Sequence, residues 1–239
     1  MSGHSHAKTV KSTKDAAAAQ RSKIFSKMAG EIVIAAKDGG EAASNPRLRM
    51  AIDRAHSFNM PTLNIERAIK RGTGEEKGTA LEEVLFEGYG PGNIAILIEG
   101  ITDNKNRTLG EIKQAFEKNT GKLAGEGAVR WMFERRGTIT ILPHDKPKDE
   151  IELLSIEAGA QDTYWKESGV LEIYTDPVQL EKIKKTLQDQ GIVPESTSLD
   201  WIPKERVALS QKDMTSAEKL FLALDESDGV QEIYSNIKD

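Results

Sequence analysis

Three observations predict a multidomain α and α+β chain, with a helical N-terminal domain followed by two α+β domains. Apolar residues recur at helical spacing through the first 71 residues, strand and helix patterns alternate after them, and the charge changes sign between the two parts. Residues 1–71 hold 13 Lys and Arg against 6 Asp and Glu, a net of +7. Residues 72–239 hold 20 against 32, a net of −12, so the whole-chain charge of −5 conceals a basic module on an acidic body.

The helical part reads from its stripes and its stops. Ile24, Met28 and Ile32 repeat every four residues, predicting a helix over 15–37 that Gly39-Gly40 ends. Asn45-Pro46 supplies a cap followed by proline at the first helical position, opening a second helix, 46–58, with Leu48, Ala51, Ile52 and Ala55 inward. Asn59-Met60-Pro61 breaks it. Ile65, Ala68 and Ile69 mark a third helix, 61–71, closed by Gly72. These form the basic helical domain, 1–75, and the polar, Gly-rich stretch 72–79 reads as its linker.

In the body, residues 138–142 alternate as a strand and Pro147 opens a helix carrying Ile151, Leu154 and Ala158. Strands at 160–166 and 170–175 follow, then a helix capped by Asp176-Pro177 with Leu180, Ile183 and Leu187, then an extended stretch from Ile192 to Trp201. The order βαββαβ makes 137–203 a complete ferredoxin-like unit. Before it lie strands near 81–87 and 93–99, a helix at 105–119 and a strand carrying Val129, Trp131 and Phe133. After it come a strand around Val207 and Leu209, a helix with Ala217, Leu220, Phe221 and Leu224, and a strand at 230–237. Neither flank buries its apolar face alone, so 80–136 and 204–239 are expected to combine into a discontinuous α+β domain of ferredoxin-like type, with 137–203 inserted. Two domains in series are the simpler alternative.

Composition narrows the chemistry. Cysteine is absent, which excludes disulfides, thiolate nucleophiles and cysteine metal sites. The longest aliphatic run, Ile94 to Ile98, is far too short to span a bilayer. Residues 1–27 lack the apolar core of a secretory signal, although their basic, Ala-rich character also suits a transit peptide.

The candidate binding residues are basic. Lys8, Lys11, Lys14, Arg21, Lys23 and Lys27 share residues 1–27 with a single acid, Asp15. Arg47, Arg49 and Arg54 follow on the second helix, and Arg67, Lys70 and Arg71 end the third. Phosphate backbones carry dense negative charge, and neutralising them releases condensed counterions, so such a set suits nucleic acid. Singly, each also reads as a solvated cation, the last three complementing a helix C-terminus. Thr62, Asn64 and Arg67 would face bases if the second and third helices formed a helix-turn-helix; an ordinary helical hairpin is the competing reading.

Other constellations carry less. Gly88-Tyr89-Gly90-Pro91-Gly92 and the Gly-rich piece from Gly121 to Gly127 match no phosphate-cradling loop. His4, His6, His56 and His144 lack the spacing of a metal site. Glu87, Glu99 and Asp103 could approach one another at strand ends, the basis of an alternative metal- or nucleotide-dependent enzyme. Trp131, Phe133 and Trp165 fall on expected strands, where core packing is the first reading. A protein-interaction adaptor using the α+β faces is a further alternative.

Several stretches resemble the YebC family, which includes a mitochondrial translational activator of cytochrome c oxidase. They are Gly3-His4-Ser5, Arg21 to Lys27, Asn45 to Arg49, Asn59-Met60-Pro61, Asn64 to Gly72, Glu87 to Gly92, Asn106-Arg107-Thr108 and Trp131 to Glu134. The resemblance spans nearly the whole chain. It implies a helical domain followed by two α+β domains; the residues themselves lead to the expectation of no enzymatic activity and no cofactor. It also implies a cytoplasmic protein, because the family's opening motif starts at Gly3. The expected partners are DNA or ribosomal RNA, with the ribosome or RNA polymerase behind them, and neither a membrane nor a small-molecule substrate. Family members look like transcriptional regulators that bind DNA or translation factors at the ribosome, and the ribosomal role is slightly favoured. Many members continue the opening motif with Lys-Trp, where this chain has His6-Ala7.

Overall fold

The computed structural model describes residues 14–142 and 146–238, with side chains from Gln20 onward. Among these residues seven α-helices accompany two four-stranded antiparallel sheets, the mixed class that the sequence predicts.

Helices α1 (Lys14–Ala36), α2 (Pro46–Ser57) and α3 (Thr62–Thr73) close around Met28, Ile32, Leu48, Ala55, Ile65 and Ala68. Asn45 joins the first two. Its side-chain oxygen accepts from the Leu48 amide at 3.0 Å, while its amide donates to the Ala35 and Gly39 carbonyls, each at 2.8 Å. One buried side chain therefore caps the start of α2 and satisfies the end of α1. Gly72 does not close α3. It lies within the helix, where a Cβ would sit 2.5 Å from the Val33 carbonyl oxygen, and its missing side chain lets α3 cross α1 closely. The stop is Gly74, in the left-handed region at φ 84.

The first sheet has strand order β3-β1-β2-β8, from β1 (Glu82–Tyr89), β2 (Ala95–Thr102), β3 (Lys122–Ala124) and β8 (Val230–Ser235). Helices α4 (Lys105–Lys118) and α7 (Gln211–Asp225) cover one face, packing Phe116, Leu220 and Phe221 on Phe86, Ile96 and Ile98. Gly88 makes that fit possible, since a Cβ there would lie 2.5 Å from the Phe116 ring. On the opposite face Ala95 and Leu97 meet Val129, Phe133 and Tyr234. This explains why the β2 run is apolar without alternation: it is buried on both sides.

The second sheet comes from the chain between β3 and α7. It comprises β4 (Phe133–Ile141), β5 (Asp162–Trp165), β6 (Leu171–Thr175) and β7 (Ser196–Pro203), in the order β5-β6-β4-β7. Helices α5 (Lys148–Glu157) and α6 (Leu180–Asp189) pack on it through Ile151, Ile183 and Leu187. Its βαββαβ order is the ferredoxin-like one.

Three local readings change. The strands expected around 129–133 and 138–142 are one strand, β4, and Val129 and Trp131 lie before it. Val207 forms only an isolated bridge to Ile237 rather than a strand. Helix α6 starts at Leu180, a turn after the expected Asp176-Pro177 cap.

Candidate nucleic-acid interface

The basic residues divide into two groups. Lys8 and Lys11 lie outside the described residues, as does the side chain of Lys14, the first residue of α1. Lys23 and Lys27, four apart on α1, both reach Asp225, the last residue of α7. Lys27 Nζ lies 2.6 Å from Asp225 Oδ1, and Lys23 Nζ lies 3.3 Å from Oδ2 while also donating to the Asp225 carbonyl. Two cations at a helix C-terminus complement its dipole as well as the carboxylate. Arg47 pairs with Glu83 on β1, with both side chains about half exposed. Arg49 donates to the Ala42 carbonyl at 3.0 Å.

Arg54 is the most committed of the set. Its guanidinium bridges Glu31 on α1, at 3.0 Å, and Glu232 on β8. Burial, opposed by Arg54 and reinforced by Glu232 and Glu99, raises the Glu31 carboxyl to about 7. Beside this bridge Glu99 accepts from Arg135 Nη1 at 2.7 Å, Trp201 Nε1 at 2.8 Å and Tyr234 Oη at 3.1 Å. Burial, with Asp200 and Glu99 nearby, pushes the Tyr234 hydroxyl well above its ordinary value. The helices, the first sheet and the second sheet thus meet over one polar junction.

These contacts place Lys23, Lys27, Arg47 and Arg54 in ion pairs within the fold. Their charge is directed at carboxylates of the folded chain, because each stands where a helix abuts another element. Arg21, Arg67 and Lys70 differ, forming no ion pair among the described residues. Arg67, Lys70 and Arg71 share one side of α3 by their spacing of three and four. Arg71 also lines a cleft of about 270 Å³ with Asp103, Arg107 and Gln231. Thr62 and Arg67 are exposed and Asn64 is half-buried, and His56 is exposed on α2.

Glu87, Glu99 and Asp103 serve separate structures rather than one acidic site. Glu87 accepts from the backbone amides of Gly127, Val129 and Arg130 at 2.6, 2.7 and 2.8 Å. Asp103 pairs with Arg107 at 2.7 Å. No group of three His, Asp or Glu among the described residues is placed to hold a metal ion. No described helix is long and apolar enough to cross a membrane.

The aromatic expectation fails at one position. Phe133 is buried and Trp165 half-buried, but Trp131 is 67% exposed in a 3-10 turn, Arg130–Met132. By gathering the amides of Gly127, Val129 and Arg130, Glu87 holds the chain out of the ladder just before β4. Gly125 and Gly127, flanking Glu126, were the sequence signal for a loop there.

A basic helical unit ion-paired onto the first of two antiparallel sheet units is a three-part α and α+β architecture. The chain belongs to the TACO1/YebC family: the model for the TACO1/YebC protein N-terminal domain matches residues 5–75, and that for the TACO1/YebC second and third domain matches residues 81–237. A relative from Prosthecochloris aestuarii, named "Probable transcriptional regulatory protein", is 44% identical over 239 residues, covering 100% of this chain and 96% of its own. One of the same name from Thermotoga petrophila is 44% identical, covering 100% and 94%. The crystal structure of a conserved hypothetical protein from Aquifex aeolicus superposes with a TM-score of 0.86 at 39% identity, over 98% of this chain and 97% of that one.

Proposed function

We propose that this chain is a cytoplasmic, non-catalytic regulator of gene expression that engages nucleic acid through its helical domain. The division of the basic set carries this reading. Lys23, Lys27, Arg47 and Arg54 hold the helices to the body, and Arg21, Arg67 and Lys70 remain without a carboxylate among the described residues. Cations that the fold does not neutralise are available for phosphates. The names of the relatives support regulation of transcription, and duplex DNA is the target this reading assigns to the free cations.

A salt titration tests it. Three phosphate contacts, from Arg21, Arg67 and Lys70, give a slope of log affinity against log salt of about −3 on duplex DNA. Absence of binding to DNA, RNA and ribosomes at low salt would refute the reading. The exposed indole of Trp131 favours a second reading, a translation factor on ribosomal RNA, because unpaired bases are what RNA loops present. Ribosome co-sedimentation, compared with reporter transcription in a deletion strain, separates the two.

A further inference from the structure

We propose that Trp131, flanked by Arg130 and Lys204, is a stacking platform for an unpaired nucleobase of a single-stranded nucleic acid. The proposal rests on the nucleic-acid reading and adds a second contact site, outside the helical domain. Tryptophan has a large apolar surface that folding ordinarily buries, yet this ring is 67% exposed.

The ring is nevertheless held. Its Nε1–H donates to the Ala128 carbonyl at 3.1 Å, and its own backbone carbonyl accepts from Lys204 Nζ at 2.8 Å. The preceding loop is pinned by the three amides that Glu87 collects. With its polar group satisfied internally, the indole offers a partner only its π face, and every base has a face that stacks on one.

The surroundings supply charge and room. Arg130 is exposed, and its guanidinium lies 5.2 Å from the Trp201 ring centroid. Lys204, also exposed, brings a second cation beside the turn. Glu134 stands nearby in sequence, but its carboxylate pairs with Arg136 at 2.8 Å. Glu126 and Glu205 are exposed, which limits the site to a nucleotide or two rather than a phosphate tract. A side chain added at Gly125 or Gly127 would meet nothing within 4 Å, so a strand can approach the loop closely. A lone aromatic between cations suits a base.

The test uses the full chain and labelled oligouridylate, oligodeoxythymidylate and a dA·dT duplex, with Kd read by fluorescence anisotropy at low salt. Trp131→Ala should weaken single-strand binding by about 5- to 150-fold, the value of one base–aromatic stack, and shift duplex binding less than about twofold. Trp131→Tyr should retain most of the affinity, and circular dichroism should show both variants folded. Preference for either single strand supports the platform and identifies its source as RNA or DNA. Unchanged single-strand affinity in Trp131→Ala overturns it; if duplex binding persists, the helical-domain reading stands. Unchanged affinity together with lost binding to a purified ribosomal or polymerase protein also overturns it, in favour of a protein occupant. Absence of all nucleic-acid binding in the unaltered chain overturns both.

Discussion

Arg54 on α2 is ion-paired to Glu232 on β8, a contact that ties the second helix of the chain to its last strand. Its other partner, Glu31, lies on α1. Removing the guanidinium leaves two largely buried carboxylates facing each other. Arg54→Ala is therefore expected to cost about 2–3 kcal/mol, below the range for a fully buried pair because a third of the arginine side chain is exposed. Urea unfolding measures it, and a loss under about 0.5 kcal/mol would show the bridge to be incidental.

The same bridge sets a pH dependence. Glu31 is raised from 4.5 to about 7, chiefly by burial, so the folded chain holds a proton that the unfolded chain releases between those values. Stability contributed here is complete below pH 4.5 and declines as pH rises towards 7, by about 1–3 kcal/mol. Glu31→Gln should flatten that decline. An identical pH profile in the variant would exclude Glu31 as the cause.

Arg67→Ala with Lys70→Ala should reduce the salt slope of duplex binding by about 2 while leaving thermal stability nearly unchanged. Lys23→Ala with Lys27→Ala should do the reverse, lowering stability through loss of the Asp225 contacts. Should both pairs act alike on binding, the division of the basic set would have no functional meaning.

Glu87 works in the opposite pH direction from Glu31. Burial tends to raise its carboxyl, but the amides of Val129, Gly127 and Arg130 outweigh it and hold it below the usual range. Its stabilisation is present above the ordinary carboxylate value and is lost as pH falls through the lowered one. Glu87→Ala should cost about 2–4 kcal/mol, since three amides lose a charged acceptor. It should also speed hydrogen exchange at Gly127, Val129 and Arg130. Exchange unchanged at those amides would mean that the loop is held by something else.

Local signals were legible and distant ones were not. Asn45-Pro46 announced α2, and the stripe from Ile24 to Ile32 announced α1, because capping and period 3.6 act over a few residues. The ferredoxin-like order could be read from 137–203 because each element there has its own stop. The partners of Lys23, Lys27 and Arg54 could not be read, since Asp225 and Glu232 lie almost the whole chain away. The basic cluster looked uniform for the same reason: sequence counts charges, and only packing decides which of them face another carboxylate. Trp131 was misplaced because alternation with Val129 and Phe133 imitates a strand, whereas capture of the loop amides by Glu87 is a contact across 40 positions or more.

Strand β8 closes the first sheet and carries Glu232, so growth of the chain on the ribosome imposes an order on assembly. The second sheet, contiguous from β4 to β7, has all its strands before α7 is made. Until β8 emerges, β2 remains an open edge beside the apolar run Ala95 to Ile98, a surface on which other unfinished chains can pair. Truncation within 226–238 should therefore damage the oldest part of the nascent molecule more than its middle, producing insoluble protein in which β4–β7 is still formed.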